Sequence, residues 1–151
     1  MNIEIRKAKP DDFKDVHKLI MEFATFIKTP EKVQTTPEQM IKDQFFFNCL
    51  IATGGKEIIG FATFFFSYYS WTGKAIYLDD LYVKKDYRGK GIGSKLFDKI
   101  MEIGKDENCN KMKWQVSNWN SKAQDFYKSR GAIIDDVEIN CDLTLKQKTI
   151  C

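Results

Sequence analysis

The chain has 151 residues, is 43% hydrophobic and carries a net charge of +3 from 24 basic and 21 acidic residues. Its length and apolar content suffice for one core, so we expect a single domain over residues 1–151. The near balance of charge excludes a dedicated nucleic-acid binder, and no apolar stretch approaches the roughly 20 residues that span a bilayer. We therefore expect a soluble, cytoplasmic protein with a small-molecule partner, no nucleic acid and no membrane.

The four cysteines lack the spacing of a metal site. Cys49, Cys109, Cys141 and Cys151 are far apart, contain no C-x-x-C pair and have only His17 as an imidazole partner. We therefore expect no metal. His17 lies within a helical pattern and is expected to be structural or exposed, which leaves the chain without the usual catalytic histidine.

The chain opens with a strand and an amphipathic helix. Residues 3–8 alternate as a strand. Residues 11–27 place their apolar side chains on one helical face, with Asp11 or Asp12 as the predicted N-cap.

A second helix and a hairpin follow. Thr36 is the predicted N-cap, Pro37 takes the first helical position and Gln39 completes a capping box, so this helix runs to about Phe46. "CLIAT" is then a short strand, "GGK" a tight turn and "EIIGFATFFFSYYSW" a long strand, which together predict an antiparallel hairpin.

The second half alternates strands and helices. "AIYLDDLYVKK" is a strand interrupted by the adjacent acids Asp79 and Asp80, and a glycine-rich segment then leads into a helix that ends near residues 105–108. "KMKWQVS" is the next strand, and "NWNSKAQDFYKSRGA" is a loop and a short helix stopped by Gly131. Residues 132–145 alternate well enough to predict two final strands. The sum is a mixed α/β domain.

Three glycines in "DYRGKGIGSKLF" indicate backbone that closely approaches a ligand. Gly89, Gly91 and Gly93 do not follow the dinucleotide spacing G-x-G-x-x-G, because Ser94 stands where the last glycine is needed. The P-loop is excluded too, since Gly93 is followed by Ser94 and not by lysine. What remains is Arg88-x-x-Gly91-x-Gly93, directly after a strand and directly before a helix.

This segment suits a pyrophosphate. A helix N-terminus carries about half a positive charge and free N–H groups. Arg88 and Lys90 add positive charge beside the loop, and Ile92 contributes a backbone amide at the start of the helix. Ser94 can donate its hydroxyl hydrogen to a phosphate oxygen. The alternative is an ordinary glycine loop with a basic rim.

Residues 88–93 resemble the acyl-CoA pyrophosphate loop of the GCN5-related N-acetyltransferase (GNAT) family. "YLDDLYV" before the loop, "NWNSKAQDFYKSRGA" after it and the order of elements extend the match to roughly residues 3–145. The resemblance implies an α/β (α+β) fold with a mixed central sheet of about six to seven strands and about four helices. It also implies transfer of an acetyl group from acetyl-CoA, as cosubstrate, to a primary amine by direct attack.

The resemblance implies how the fourth strand would serve the cofactor. A bulge would hold this strand open so that Leu81, Tyr82 and Val83 hydrogen-bond the pantetheine arm. Backbone N–H groups near Leu81 would then stabilise the negative charge that develops on the thioester oxygen when an amine attacks.

The attacking amine needs a proton acceptor, because an alkyl amine with a pKa of about 10.4 is almost wholly protonated at neutral pH. Asp79 is the candidate base, acting directly or through water, and Asp80 is the candidate for binding substrate charge. Because side chains alternate along a strand, we expect the two acids to point to opposite faces. The alternative is that both are merely exposed at a bulge or an interface.

Tyr127 matches the tyrosine that many family members use as a general acid toward the departing thiolate. The alternative is a buried helix tyrosine packed with Phe126.

The same segment resembles a second part of the cofactor site. Asn120 matches the asparagine that hydrogen-bonds the cofactor arm, although it also suits a helix cap shared with the box "SKAQ". Lys128 and Arg130 are candidates for the 3′-phosphate end of the cofactor, with ordinary exposed helix cations as the alternative.

Within the family, the segment around Trp71 is most similar to the diamine and polyamine acetyltransferase branch, which includes enzymes for thialysine. That branch has a glutamate at Asp79 and acids at Tyr69 and Ile27, so this chain has lost carboxylates. We therefore expect a smaller amine with one remote charge, and an aromatic wall of Tyr68, Tyr69 and Trp71. Hairpin core or dimer contact is the alternative role of these aromatics.

Three functions stay in competition. The first is acetylation of a small amine, the second is acetylation of protein lysines or N-termini, and the third is a non-catalytic CoA-binding regulatory domain. A homodimer is expected only because the resembling branch forms one.

Overall fold

The computed structural model describes residues 2–146 and divides the chain into two compact units, Met1–Gln115 and Val116–Cys151. The strands of the first unit are β1 (Ile3–Lys7), β2 (Asn48–Gly54), β3 (Glu57–Tyr69), β4 (Gly73–Val83) and β5 (Lys111–Trp114). Its helices are α1 (Phe13–Phe26), α2 (Pro37–Lys42) and α3 (Ile92–Asp106). The second unit contains the helix α4 (Ser121–Ser129).

The five strands form one mixed sheet in the order β1-β2-β3-β4-β5. The first four strands pair antiparallel, and β5 joins β4 in parallel after the α3 crossover. This confirms the predicted mixed α/β fold and its four helices. Within residues 2–146 the sheet has five strands, fewer than the six to seven expected.

The missing strands are the two predicted over residues 132–145, which lie in neither helix nor strand. One local contact explains part of this difference. The backbone N–H of Val137 donates to the Asp135 Oδ1 carboxylate oxygen at 2.9 Å, which turns the chain and withdraws that amide from a strand ladder. The strand prediction for this segment is therefore wrong in the described residues.

Helices cover both faces of the sheet. Under α1 and α2 lies a core of eight buried side chains, Phe13, Val16, Leu19, Met40, Cys49, Ile51, Phe61 and Tyr82. The other face is covered by α3, whose buried apolar side chains are Ile92, Leu96, Phe97 and Ile100. Packing there is tight, because a Cβ atom on Gly104 would lie 2.8 Å from Ile76 Cγ2.

The helix starts agree only in part with the sequence predictions. Thr36 caps α2 as predicted, since its Oγ1 accepts from the Gln39 backbone N–H at 3.1 Å. The Gln39 side chain instead donates to Asp43 at 3.0 Å, and the helix ends at Lys42 and not near Phe46.

Asp12 is the N-cap residue of α1 by position but makes no side-chain cap bond there. Its carboxylate instead accepts from the Lys9 N–H at 2.8 Å and forms a bidentate ion pair with Arg6 at 2.8 and 2.9 Å. Arg6 thereby holds the pKa of Asp12 below its usual value and ties β1 to the start of α1.

No helix in the described part of the chain has both the length and the apolar character needed to cross a membrane.

Candidate active site

A β-bulge interrupts β4 at Asp79. Thr63 of β3 pairs with Asp80, and the next residue, Phe64, pairs with Leu78, so Asp79 is an extra residue without a counterpart. The backbone N–H of Asp80 donates to Thr63 Oγ1 at 3.0 Å, which takes the place of a regular ladder bond. The predicted bulge therefore exists, at the two acids themselves.

The bulge reverses the alternation of side chains along β4. Ile76 lies against Gly104 and Val83 against Gly93, so both side chains face α3. Residues an odd number of positions apart point to opposite faces of a regular strand, and the extra residue restores these two to the same face.

The two acids therefore do not point to opposite faces, as a regular strand predicted. Asp80 follows the alternation of Tyr82 and faces α1. Asp79 comes two residues after Tyr77, which points away from Ile76 and α3, so the alternation before the bulge sets Asp79 on the α1 face as well. The Asp79 charge also raises the pKa of both Tyr77 and Asp80.

Electrostatics prepare both carboxyl groups to accept protons. Burial, together with the neighbouring Asp79 charge, raises the pKa of Asp80 to about 6. Burial also raises the pKa of Asp79, although this side chain is exposed at the sheet surface and water moderates the effect. A carboxylate whose pKa lies nearer neutrality is a better proton acceptor at physiological pH.

One edge of β4 opens just after the bulge. The parallel ladder with β5 ends at the pair of Leu78 and Trp114, while β4 continues to Val83. The Lys84 N–H donates to the Ile59 carbonyl at 2.9 Å, so even-numbered residues in this stretch bond toward β3. Leu81 and Val83 consequently turn their backbone groups toward the open edge, as an arm-binding strand requires.

The glycine loop has the backbone conformation that its sequence suggested. Gly89 and Gly91 have φ of 77° and 78°, in the left-handed region that favours glycine, and Gly91 is the N-cap residue of α3. A Cβ on either residue would meet no atom within 4 Å, so the space above the loop is clear. The loop thus fits a diphosphate bound through backbone amides.

The other loop residues play different parts. Ile92 is a core side chain and contributes only its backbone, while Gly93 is helical and Ser94 is half-buried in the first turn of α3. The Lys90 ammonium lies 5.5 Å from the centre of the Tyr87 ring.

Arg88 does not extend freely into solvent. Its Nε donates to the Val83 carbonyl at 2.8 Å, and its guanidinium lies 4.7 Å from the ring centre of Phe26 and 5.3 Å from that of Tyr82.

The second unit carries the remaining predicted cofactor residues. Asn120 caps α4, since its Oδ1 accepts from the Ala123 N–H at 3.1 Å. The Gln124 side chain donates to the carbonyls of Ser117 and Asn118 at 3.1 and 3.2 Å, so the cap does not use the "SKAQ" box. Tyr127 is half-buried on α4, with its ring centre 5.4 Å from that of Phe126.

The two candidate cations of α4 lie at its C-terminal end. Lys128 and Arg130 are both exposed, and the Arg130 guanidinium lies 5.5 Å from the centre of the Phe126 ring. The chain then turns at Gly131, which ends the helix as predicted.

Within the first unit, the residues of the predicted aromatic wall do not lie near Asp79 and Asp80. Tyr69 and Trp71 lie at the far end of the β3–β4 hairpin, and six residues of strand from Thr63 to Tyr69 span about 20 Å. Trp71 is 98% exposed, and the Tyr69 ring lies beneath Lys111 and Lys113, at 4.6 and 4.9 Å.

Two residues near the site were not expected from the sequence. Thr63 holds the bulge, and the Glu22 carboxylate accepts from the Tyr82 hydroxyl at 2.7 Å. A glutamate on the amphipathic α1 gives no sequence signal that sets it apart from other exposed acids. Thr63 could have been found only with the strand register already known.

Solved structures share this architecture. An aminoglycoside acetyltransferase from an uncultured soil metagenomic sample superposes with a TM-score of 0.79 at 21% identity, over 95% of this chain and 97% of that chain. At that identity the likeness shows the fold alone. The chain therefore shares the mixed α/β fold of that structure.

Sequence comparison identifies the family. The model for the acetyltransferase (GNAT) family matches residues 13–132. Thialysine N-epsilon-acetyltransferase of Bos taurus is 37% identical over 142 residues, 86% of this chain and 84% of that protein. Spermidine/spermine N(1)-acetyltransferase-like protein 1 of Homo sapiens is 36% identical over 86% of this chain and 20% of that protein. The chain belongs to the GNAT family and is an acyltransferase, as its sequence predicted.

Proposed function

We propose that this acetyltransferase transfers an acetyl group from acetyl-CoA to the primary amine of a small molecule, a diamine, a polyamine or an amino acid analogue. The observation that carries the proposal is the bulge at Asp79, which places two carboxylates on one face beside the open edge of β4. The curated relatives support the substrate class, since one is named for thialysine and another for spermidine and spermine.

Residues of the first unit would hold acetyl-CoA, which supplies the acetyl group as a thioester. The amides of residues 89–94 would bind its diphosphate, and Leu81 and Val83 would hydrogen-bond the arm through their backbone. The backbone of Tyr82, which was also expected to bind the arm, bonds toward β3 and is not offered to it. The clear space above Gly89 and Gly91 supports this assignment.

Three residues of the second unit are also proposed to bind the cofactor. Asn120 would donate from its side-chain Nδ2 to the cofactor arm, because its Oδ1 caps α4. Lys128 and Arg130 would contact the 3′-phosphate.

The proposed chemistry requires two proton transfers and one stabilised charge. Asp79 would take the proton from the amine, directly or through water, and Asp80 would bind a second cationic group of the substrate. The Leu81 N–H would stabilise negative charge on the carbonyl oxygen, and Tyr127 would donate a proton to the sulfur as the carbon–sulfur bond breaks.

A substrate screen tests the proposal directly. Release of free CoA thiol is measured with acetyl-CoA and, in parallel, diamines, polyamines, thialysine, lysine and lysine peptides. We expect turnover with one or more of the small amines, and a loss of about 100-fold in kcat when Tyr127→Phe removes the phenol proton. Turnover with peptides alone would establish protein acetylation instead. CoA binding without turnover of any amine would favour a regulatory domain.

Some finer expectations stay predictions. These are one cooperative domain over residues 1–151, a cytoplasmic location, a homodimer, and a substrate-binding role for Tyr69 and Trp71. Because Tyr69 and Trp71 lie far along the hairpin from Asp80, their role would require a long substrate or a second subunit. Sedimentation at several protein concentrations measures the assembly state.

A further inference from the structure

Arg88 directly precedes the first glycine of the loop, and its side chain is already engaged. Its Nε donates to the carbonyl of Val83, the last residue of β4, at 2.8 Å. This bond closes the segment of residues 84–87 into a loop with fixed ends. It also occupies the last carbonyl of the open edge, so that edge ends at Val83.

Aromatic rings hold the guanidinium in place. Phe26 of α1 and Tyr82 of β4 both lie within cation–π distance of it, at 4.7 and 5.3 Å. Tyr82 is itself fixed, because its hydroxyl donates to Glu22 of α1 at 2.7 Å. The result is a continuous set of contacts from α1 through Tyr82 to the start of the glycine loop, here called the Arg88 brace: Glu22, Phe26, Tyr82, Val83 and Arg88.

We propose that Arg88 is a positioning residue, which orients the amides of the glycine loop through its bond to Val83 and does not serve as the counter-charge of the diphosphate. The inference rests on the proposed function, because it concerns how the loop binds coenzyme A. Physically, the guanidinium is a rigid planar group whose Nε points back to the backbone, a geometry that an ammonium does not reproduce.

Side-chain chemistry offers a matched set of variants. In glutamine the Nε2 donor stands the same number of bonds from Cα as the arginine Nε, so Arg88→Gln keeps the donor and removes the charge. Arg88→Lys keeps the charge and places a carbon at that position. Arg88→Met has neither the donor nor the charge. Arg88 is exposed, so these variants should fold, which thermal unfolding checks.

The experiment measures coenzyme A affinity by calorimetry for the wild type and the three variants. We expect Arg88→Gln to bind within about threefold of the wild type, and Arg88→Lys and Arg88→Met to bind about tenfold or more weakly. Any other ranking, including equal affinities among the variants, overturns the proposal. A wild type that binds no coenzyme A defeats the proposed function itself, a result seen before any variant is compared.

Two further measurements distinguish a positioning role of Arg88 from a general structural defect. Arg88→Lys should raise the KM for acetyl-CoA and leave the KM for the amine unchanged, whereas a merely structural defect would alter neither KM selectively. Phe26→Leu should weaken binding by about threefold in the wild-type background and have no effect in the Arg88→Met background. Equal losses in both backgrounds would show that Phe26 acts without Arg88 and would overturn the brace.

Discussion

The two halves of β4 share one strand but differ in their neighbours. Residues 75–78 pair with both β3 and β5, while residues 80–83, after the unpaired Asp79, pair with β3 alone. The first half carries buried apolar side chains against α3, and the second half begins with two acids at a bulge. The difference indicates a division of labour along a single strand. The doubly paired half supports stability, and the singly paired half carries the backbone groups and carboxylates that are proposed for binding and catalysis.

Ile76→Ala should give the largest change, and it should affect stability alone. Ile76 is 1% exposed and lies against α3, so truncation leaves a cavity and should lower the free energy of unfolding by about 3 kcal/mol. Urea unfolding measures this loss. Tyr68→Ala, at a position of the same hairpin that is 80% exposed, is the control and should change stability by less than about 0.5 kcal/mol. A similar loss in both variants would contradict the division of labour.

Asp79→Asn should have the opposite profile. It removes the proposed proton acceptor from the singly paired half, so kcat should fall by about 100-fold while the free energy of unfolding changes by less than about 0.5 kcal/mol. Steady-state kinetics and urea unfolding are measured on the same preparation. Asp86→Asn, at an exposed acid outside the strand, should leave kcat unchanged. If Asp79→Asn retains full turnover, Asp79 is not the base.

The free energy of unfolding should depend on pH through the ionisation of Asp80. The pKa of Asp80 is raised to about 6 in the folded state, so between pH 4 and 6 the folded chain holds more protons than the unfolded chain. Stability from this group is therefore present below about pH 4 and is lost as pH rises through about 6.

Asp80→Asn tests this linkage. The substitution should raise the free energy of unfolding at pH 7 by about 1 kcal/mol, after allowance for solvent screening, and change it little at pH 4. Unfolding in urea at the two pH values measures the difference. Equal effects at pH 4 and pH 7 would show that ionisation of Asp80 carries no such cost.

Gly91→Ala should also give a small change. A left-handed φ of 78° strains any residue with a Cβ, so stability should fall by about 1 kcal/mol and coenzyme A should bind several-fold more weakly. Gly55 in the β2–β3 turn has φ of 65° and equally open surroundings, so Gly55→Ala is a matched control. It should lose similar stability and keep full affinity. Loss of affinity in both variants would indicate a global effect.

Much of the fold could be predicted because its signals are local. The Thr36 cap, the glycines around α3 and the stop at Gly131 each depend on a few neighbouring residues. The bulge at Asp79 was expected from the family, but the shared face of Asp79 and Asp80 depends on strand register, which alternation alone misjudged. The strand prediction for residues 132–145 failed because alternation of side chains does not by itself supply a strand to pair with. The engagement of Arg88 required contacts with α1, far away in sequence.

The contact of Gly104 with Ile76 determines how closely α3 can lie on the sheet. A Cβ on Gly104 would overlap Ile76 at 2.8 Å, whereas a Cβ on Gly93, near the start of the same helix, would meet Val83 at an ordinary 3.9 Å. The helix therefore approaches β4 more closely at Gly104 than at Gly93, where the contact is an ordinary one. A bulkier side chain at residue 104 would have to push the end of α3 away from Ile76, so this glycine sets how closely the helix can pack on β4.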